Sequence, residues 1–494
     1  MRIFVLLACA VFSAPAQQAT NSQPISLQNA IERALEHNLD LQIERYNPLI
    51  ARSDLSAAYG GYDPFVSASG AHSYSLSGGG FSSIIGTNTP ARREERDSFS
   101  ASVNGLLPWG LNYNLSGSLS ESYGRQLRSF DSLGGSAAVE LRQPLLKNFW
   151  IDATRLNIRV RKTQLKQSEL RLKKSIMDIV TAVELAYYDL IFTRESVKVQ
   201  EKALELAVRL AQENKKRVEV GTLAPLDEKQ AEAQAAGSRS DLLQAQRALA
   251  ASENAFKRLL TDRFSELQPV ELLPSDPLLA PVQVFNLQDS WNRGLTRRSD
   301  LLQAKLDLEK QGVILKYNRN QLFPELDLTG TYGHSAGGAE IREFNQGFDE
   351  IRMGNKPFYS YGAQISFPLG NIGARSNYRI SKMQLDQLVL GVKKLEQDIL
   401  VVIDDAIKLA KASYERIQAT REQREAAEAA LDAEQKKLES GKSTNFEVLR
   451  LQRDLTSARS EEISALVQYN RNLAQLSLFE ASTLERNKID INAK

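Results

Sequence analysis

The chain of 494 residues holds one cysteine, Cys9, and three histidines, His37, His72 and His334. One thiol cannot build a disulfide framework, and so few soft ligands, set far apart, argue against a zinc centre. Two of the three histidines stand in Ser/Gly-rich stretches, which speaks against His-dependent catalysis. No sign of charge dominates. Lys plus Arg is 62 and Asp plus Glu is 60, a net of +2, so the chain lacks the basic footprint of a nucleic-acid binder. Beyond the N-terminus there is no apolar run of about 18 residues, and the mean hydropathy is −0.34. A helical membrane protein is excluded on both counts. A β-barrel is not, because its strands are only half apolar.

The apolar run that does occur lies at the start. Met1-Arg2 precedes Ile3–Ala14, and Ala14-Pro15-Ala16 supplies small residues at a cleavage position. This is the layout of a secretory signal peptide over residues 1–16, leaving Gln17 first in the exported chain. Cys9 admits a second reading as a lipoprotein-processing site, with only six apolar residues ahead of it.

A repeat organises the rest. Shifted by 260 positions, Ser26–Leu41 lies over Asn286–Leu301, with Leu27, Arg33, Leu35 and Asp40 meeting Leu287, Arg293, Leu295 and Asp300. Pro64 then meets Pro324, and Gly70 meets Gly330. The reading is a first repeat over 17–265, a Pro-rich linker over 266–284, a second repeat over 285–480 and a tail over 481–494. Each repeat opens with a helix, Leu27–Gly60 or Leu287–Gln321, in which Pro48 predicts a kink. A β region follows. Then comes a very long helix, Ile151–Val220 or Gly373–Ser440, rich in Leu, Lys, Glu, Gln and Ala. Some 70 residues at the helical rise make a rod of about 105 Å. Its stripe of Leu165, Leu172, Ile176, Ile179, Val183, Ala186 and Leu190 needs neighbours along its length. The return helices, Leu226–Leu260 and Glu447–Phe479, together with the opening helices match that length.

Period-two alternation marks six β segments: Phe65–Leu76, Phe99–Leu107, Leu111–Leu119, Ala137–Leu141, Leu326–Tyr332 and Tyr359–Phe367. Apolar residues alternate with Ser, Asn and Thr, as lipid on one side and water on the other would require. A half-buried sheet of a soluble sandwich carries the same pattern. Pro108-Trp109-Gly110 reads as a tight turn, and 77–98, 120–136 and 333–358 as long loops.

Signal peptide, duplicated plan and two glycine-marked breaks together resemble the TolC outer-membrane efflux family over nearly the whole exported chain. The breaks are Val220-Gly221-Thr222-Leu223-Ala224-Pro225-Leu226-Asp227 and Gly441-Lys442-Ser443-Thr444-Asn445-Phe446-Glu447. Gln143-Pro144-Leu145 and Phe367-Pro368-Leu369 resemble the family's strand-to-helix junctions. The resemblance implies an α+β membrane protein: a homotrimer with a shared barrel in the outer membrane and an α-helical tunnel of long antiparallel hairpins in the periplasm. It implies a passive exit duct for a tripartite pump or type I secretion system, with a periplasmic adaptor, an inner-membrane pump and outer-membrane lipid as partners. Neither a cofactor nor nucleic acid is expected. Four strands per protomer is the family plan; the six segments here allow either 12 strands or 18.

For the periplasmic tip the resemblance carries over residue by residue. Glu447 matches an acidic gate position, with Arg450 where some members hold a second Asp. The plain reading is a solvated i,i+3 ion pair. Asp227 matches an acidic lock position whose partners are replaced here by Leu438 and Ser443. Support of a helix start explains it too. Gly221, Thr222, Gly441, Lys442 and Ser443 are candidates for docking the adaptor, or left-handed helix caps. Gly441-Lys442-Ser443-Thr444 ends like a phosphate-binding loop, but Lys436 stands where its first glycine belongs and a helix precedes it. The competing class is a structural coiled-coil envelope protein or adhesin, which would have no barrel. An adaptor would carry one hairpin rather than a duplicated pair.

Overall fold

The computed structural model describes residues 22–82, 86–125, 128–221, 224–338, 343–440 and 442–489. The expected signal peptide and Cys9 lie outside them. A short strand, β1 (Ser22–Ile25), leads into helices α1 (Leu27–His37) and α2 (Leu39–Tyr59). Strand β2 (Phe65–Ser77), a small hairpin of β3 (Gly80–Ser82) and β4 (Thr87–Thr89), and strands β5 (Arg92–Leu106), β6 (Asn112–Arg125) and β7 (Ser129–Pro144) follow. The long helix α3 (Ala153–Glu219) and its return partner α4 (Pro225–Leu260) end the first half. Helix α5 (Phe264–Leu267) and strand β8 (Glu271–Pro274) fold within and beside the Pro-rich stretch. The second half runs α6 (Leu287–Arg297), α7 (Ser299–Asn320), β9 (Glu325–Gly337), α8 (Phe344–Met353), β10 (Pro357–Ser366), α9 (Ile372–Glu439), α10 (Asn445–Phe479) and α11 (Thr483–Arg486).

The duplication is visible in the elements. Ser26 caps α1 and Asn286 caps α6, at positions paired by the 260-residue shift. The opening helices, expected to be continuous, both break at matching residues, Asn38 and Arg298, each with extended backbone. Asn38 explains the first break. Its buried side chain accepts from the Leu41 N–H at 3.0 Å and donates to the Leu259 carbonyl at 3.1 Å, so it caps a new helix while tying it to α4. Pro48, where a kink was expected, lies inside α2, which continues to Tyr59.

By its contacts the chain forms two compact units that cut across the sequence halves. One comprises Tyr46–Arg171 and Asp300–Leu395. Its centre is a six-stranded antiparallel sheet in the order β10-β9-β7-β6-β5-β2. One row runs Ala68, Ala101, Gly117, Ala137, His334, Pro357, and residues opposite one another in a ladder share a face. Val66, Val103, Leu115, Val139, Tyr332 and Tyr359 form the neighbouring row on that face, and Ser69, Ser100, Ser118, Ser136 and Ser335 a row on the other, through β2, β5, β6, β7 and β9. One face is thus apolar and the other mainly serine, threonine and asparagine.

The strands are longer than the alternation predicts. Pairing of β2 with β5 continues to Ser77 opposite Arg92, and of β6 with β7 to Arg125 opposite Ser129. The expected long loop over 120–136 is therefore mostly strand. Charges stand on these extensions and find partners: His72 Nδ1 lies 2.7 Å from Asp97 Oδ1, and Arg93 Nη2 lies 2.6 Å from Glu95 Oε1. Between β9 and β10 the expected loop contains α8, which packs on the apolar face. Phe344 meets Phe99 edge-on at 5.2 Å. A Cβ on Gly347 would come within 2.5 Å of Leu133 Cδ2, so glycine allows this close approach.

The other unit comprises the chain up to Arg45, Leu172–Ser299 and Glu396 onward. Its core joins Ile31, Ala34 and Leu41 to Val183, Tyr187 and Leu190 of α3 and to Phe256 and Leu260 of α4. The expected stripe of α3 is buried here at Ile176, Ile179, Val183 and Leu190. Strand β8 pairs in parallel with β1, burying Leu272 and Ile25. Leu267 and Leu272 bury themselves despite the surrounding prolines, which is why this stretch folds where only a linker was expected. Tyr187 secures it, donating to Asp276 Oδ2 at 2.9 Å.

The C-terminal turn is held by a buried carboxyl. Glu184 is 1 % exposed, accepts from Asn487 Nδ2 at 2.6 Å and lies 3.8 Å from Arg486 Nη1. Burial pushes its carboxyl above the usual range, against the pull of Arg486 and Asn487. A group that holds its proton more tightly when folded contributes stability below its unfolded pKa and loses it as pH rises through the folded value. Glu184→Gln is therefore expected to gain stability relative to the wild type as pH rises above the ordinary glutamate range, the wild type losing what the raised carboxyl contributed while the amide does not titrate. Thermal unfolding of both proteins in detergent from that range upward checks this; parallel profiles would refute it.

Candidate functional site at the helix turns

Both breaks fall where a long helix meets its return partner. Lys216 and Arg217 stand in the last turn of α3, and Lys436 and Lys437 in that of α9, where cations meet the negative end of the helix. The Val220 N–H donates to the Lys216 carbonyl at 3.2 Å and the Gly221 N–H to that of Val218 at 2.9 Å. Gly221 has a φ of +74°, with open space around its missing side chain. Backbone conformation alone demands glycine here. Pro225 then occupies the first helical position of α4, where its lack of an N–H costs nothing. Asp227 and Glu228 fill the first turn. Asn214 of α3, buried, donates from Nδ2 to the Asp227 carbonyl at 3.4 Å and ties the two helices together.

At the second break the Lys442 N–H closes on the Lys437 carbonyl at 2.9 Å. The Ser443 hydroxyl donates to Glu434 Oε1 at 2.6 Å, and Lys437 lies 2.9 Å from Glu434 Oε2. Ser443, then Lys437 and Arg450, hold the Glu434 carboxyl below the usual range. Thr444 caps α10, its hydroxyl accepting from the Glu447 N–H at 3.5 Å. Glu447 and Arg450 form an ion pair of 2.6 Å with both side chains more than a third exposed. Such a pair is worth about 0.3–0.5 kcal/mol. Beneath lies an apolar cluster of Leu210, Leu431, Val448, Leu449 and Leu455, with Leu438 packed against it. It fastens α3, α9 and α10 to one another.

The structure thus brings Ser443 and Arg450 to Glu434, pairs Glu447 with Arg450, leaves Lys442 exposed, and places Gly221 and Asp227 on the other turn. Asp227 has no ion pair among the described residues; its N–H donates to the Ala224 carbonyl at 3.0 Å as a first-turn acid. Thr222 and Gly441 lie outside the described residues. Three features escaped the sequence reading. Val220, Leu226 and Phe446 are large apolar side chains left exposed at the turns, the first 73 %. Thr444 and Glu447 stand at capping-box spacing, a pattern readable in advance. Asn445 is 2 % exposed, and neither atom of its side-chain amide has a described partner; no local sequence signal marks that.

If Thr444 holds the start of α10, Thr444→Ala costs about 1 kcal/mol there. Hydrogen exchange of Asn445–Leu449 is expected to quicken roughly fivefold while the sheet strands keep their protection. Unchanged exchange at the turn would show that the cap contributes nothing.

Comparison with known proteins places this geometry. The family described as "Outer membrane efflux protein" matches residues 93–261 and 292–479, more than half the chain. The chain is similar to outer membrane efflux protein BepC of Brucella suis, with 23 % identity over 355 residues covering 71 % of this chain and 73 % of BepC. It is likewise 23 % identical to the cobalt-zinc-cadmium resistance protein CzcC of Cupriavidus metallidurans, over 64 % of this chain and 70 % of that one. Among solved structures, the outer-membrane channel OprN superposes with a TM-score of 0.69 at 17 % identity, covering 92 % of this chain and 90 % of OprN. The fold it shares with OprN combines long helical hairpins with an antiparallel sheet. Matched through both of its repeats, the chain belongs to the outer membrane efflux protein family.

Proposed function

We propose that this outer-membrane efflux channel works as a passive homotrimeric exit duct, loaded by a periplasmic adaptor and an inner-membrane pump of a tripartite or type I secretion system. The six-stranded sheet with one apolar and one polar face carries the reading. Such a sheet suits outer-membrane lipid on one side and water on the other, and a structural coiled-coil protein or adhesin has no use for it. The turns supply the docking surface. Val220, Leu226 and Phe446 stand exposed beside Gly221, Lys442 and Ser443, and exposed apolar groups with a polar rim suit a protein partner. The gate is the belt of Glu447 and Arg450, with Asp227 supporting the other turn. Cargo is not passed on by membership: CzcC is named for cobalt, zinc and cadmium resistance, whereas the name of BepC carries no cargo.

The gate is tested in a planar bilayer. The purified trimer with both Glu447→Ala and Arg450→Ala is expected to conduct at least about twice as well as wild type, because the charged belt that narrows and screens the tip is gone. Equal conductance with equal ion preference would make the pair an ordinary surface contact. Recovery of the protein as a soluble periplasmic monomer would overturn the duct itself.

A further inference from the structure

Among the described residues the sheet ends in two strands whose outer edges are unpaired, β2 and β10. Neither is protected as edges usually are. Strand β2 has 13 residues without Lys, Arg, Asp, Glu or Pro, and β10 has 10 with its proline only at the first position. Tyr359 and Tyr361 of β10 are 74 % and 85 % exposed. Long, uncharged edges are templates for another strand.

We propose that β10 of one copy pairs antiparallel with β2 of the next, so that three copies close one wall of 18 strands, six from each. The inference rests on the homotrimeric duct proposed above and sets its width. Polarity fits: every neighbour in the sheet is antiparallel, so the sixth strand runs opposite to the first and the joint continues the pattern. Facing fits as well. Tyr359, Tyr361, Ala363 and Ile365 lie on the same face as Val66, Ala68, Gly70 and His72, so the apolar band passes the joint unbroken.

Stagger supplies the third argument. The row through Ala68 reaches β10 only at its first residue, Pro357. The middle of β10 is therefore displaced along the strands by about seven residues from that of β2, and keeping the faces aligned allows only about six or eight. Six to eight residues over six strands give a tilt of about 35–43°, the range in which barrels close. The β5–β6 hairpin cannot stand outside this wall without stripping β2 of its partner, because it pairs with β2 on one side and β7 on the other. A ring of 18 strands at that tilt has a radius of about 18 Å, against about 12 Å for 12 strands.

Cys9 is the only cysteine and lies in the expected signal peptide, so introduced thiols are read cleanly. The two allowed staggers set Ala363 opposite Ala68 or Gly70 of the next copy. Oxidation of outer-membrane vesicles carrying Ala363→Cys with Ala68→Cys, or Ala363→Cys with Gly70→Cys, is expected to yield a dimer-and-trimer ladder for one pair. Nitroxides on Ser136→Cys, in a strand of the wall, are expected about 30 Å apart between copies, against about 20 Å in a 12-stranded wall. A conducting membrane trimer with the shorter distance, or with neither crosslink, overturns the 18-strand wall alone. Failure to reach the membrane overturns the duct with it.

Discussion

In an antiparallel ladder, directly opposed residues share a face, and one slipped residue would turn every side chain of a strand over. The whole outer-membrane reading depends on that constraint. Through five successive pairings the register never slips, so Val66, Val103, Leu115, Val139, Tyr332 and Tyr359 come into one row although they are scattered over nearly 300 positions. Serines crowd the opposite face for the same reason. Neither lipid contact nor a polar lumen would survive a single frameshift in pairing.

Much of this was legible in advance, because period two and the 260-residue repeat are written in residue types. All six strands, both long helices and both return helices fall where patterning puts them. The misses share a cause. Charged residues in Arg92–Asp97 read as loop because alternation counts apolarity, whereas they are held by pairs along the strand, as Arg93 with Glu95, and across it, as Asp97 with His72. The breaks at Asn38 and Arg298 were hidden by good helix formers on either side. What opens the first is a hydrogen bond to Leu259, about 220 positions away, and no local rule contains it.

At the turns, residue identity said more than geometry. Gly221, Glu447 and Arg450 were singled out by resemblance to the family's turns, and the structure adds Glu434 as the group around which the second turn is arranged. The apolar cluster under that turn takes Leu210 from one hairpin and Val448 and Leu449 from the other. The proposed gate would therefore rest on side-chain packing rather than on backbone hydrogen bonds between the helices.

Strand β1 pairs with β8, and Ser22 thereby waits for Glu271. During export the leading end of the chain emerges first, yet its partner follows nearly 250 residues later. Closing so long a loop is entropically costly and slow compared with winding a helix. The earliest segment to appear is therefore among the last to settle, and until β8 follows, the edge of β1 stays unpaired.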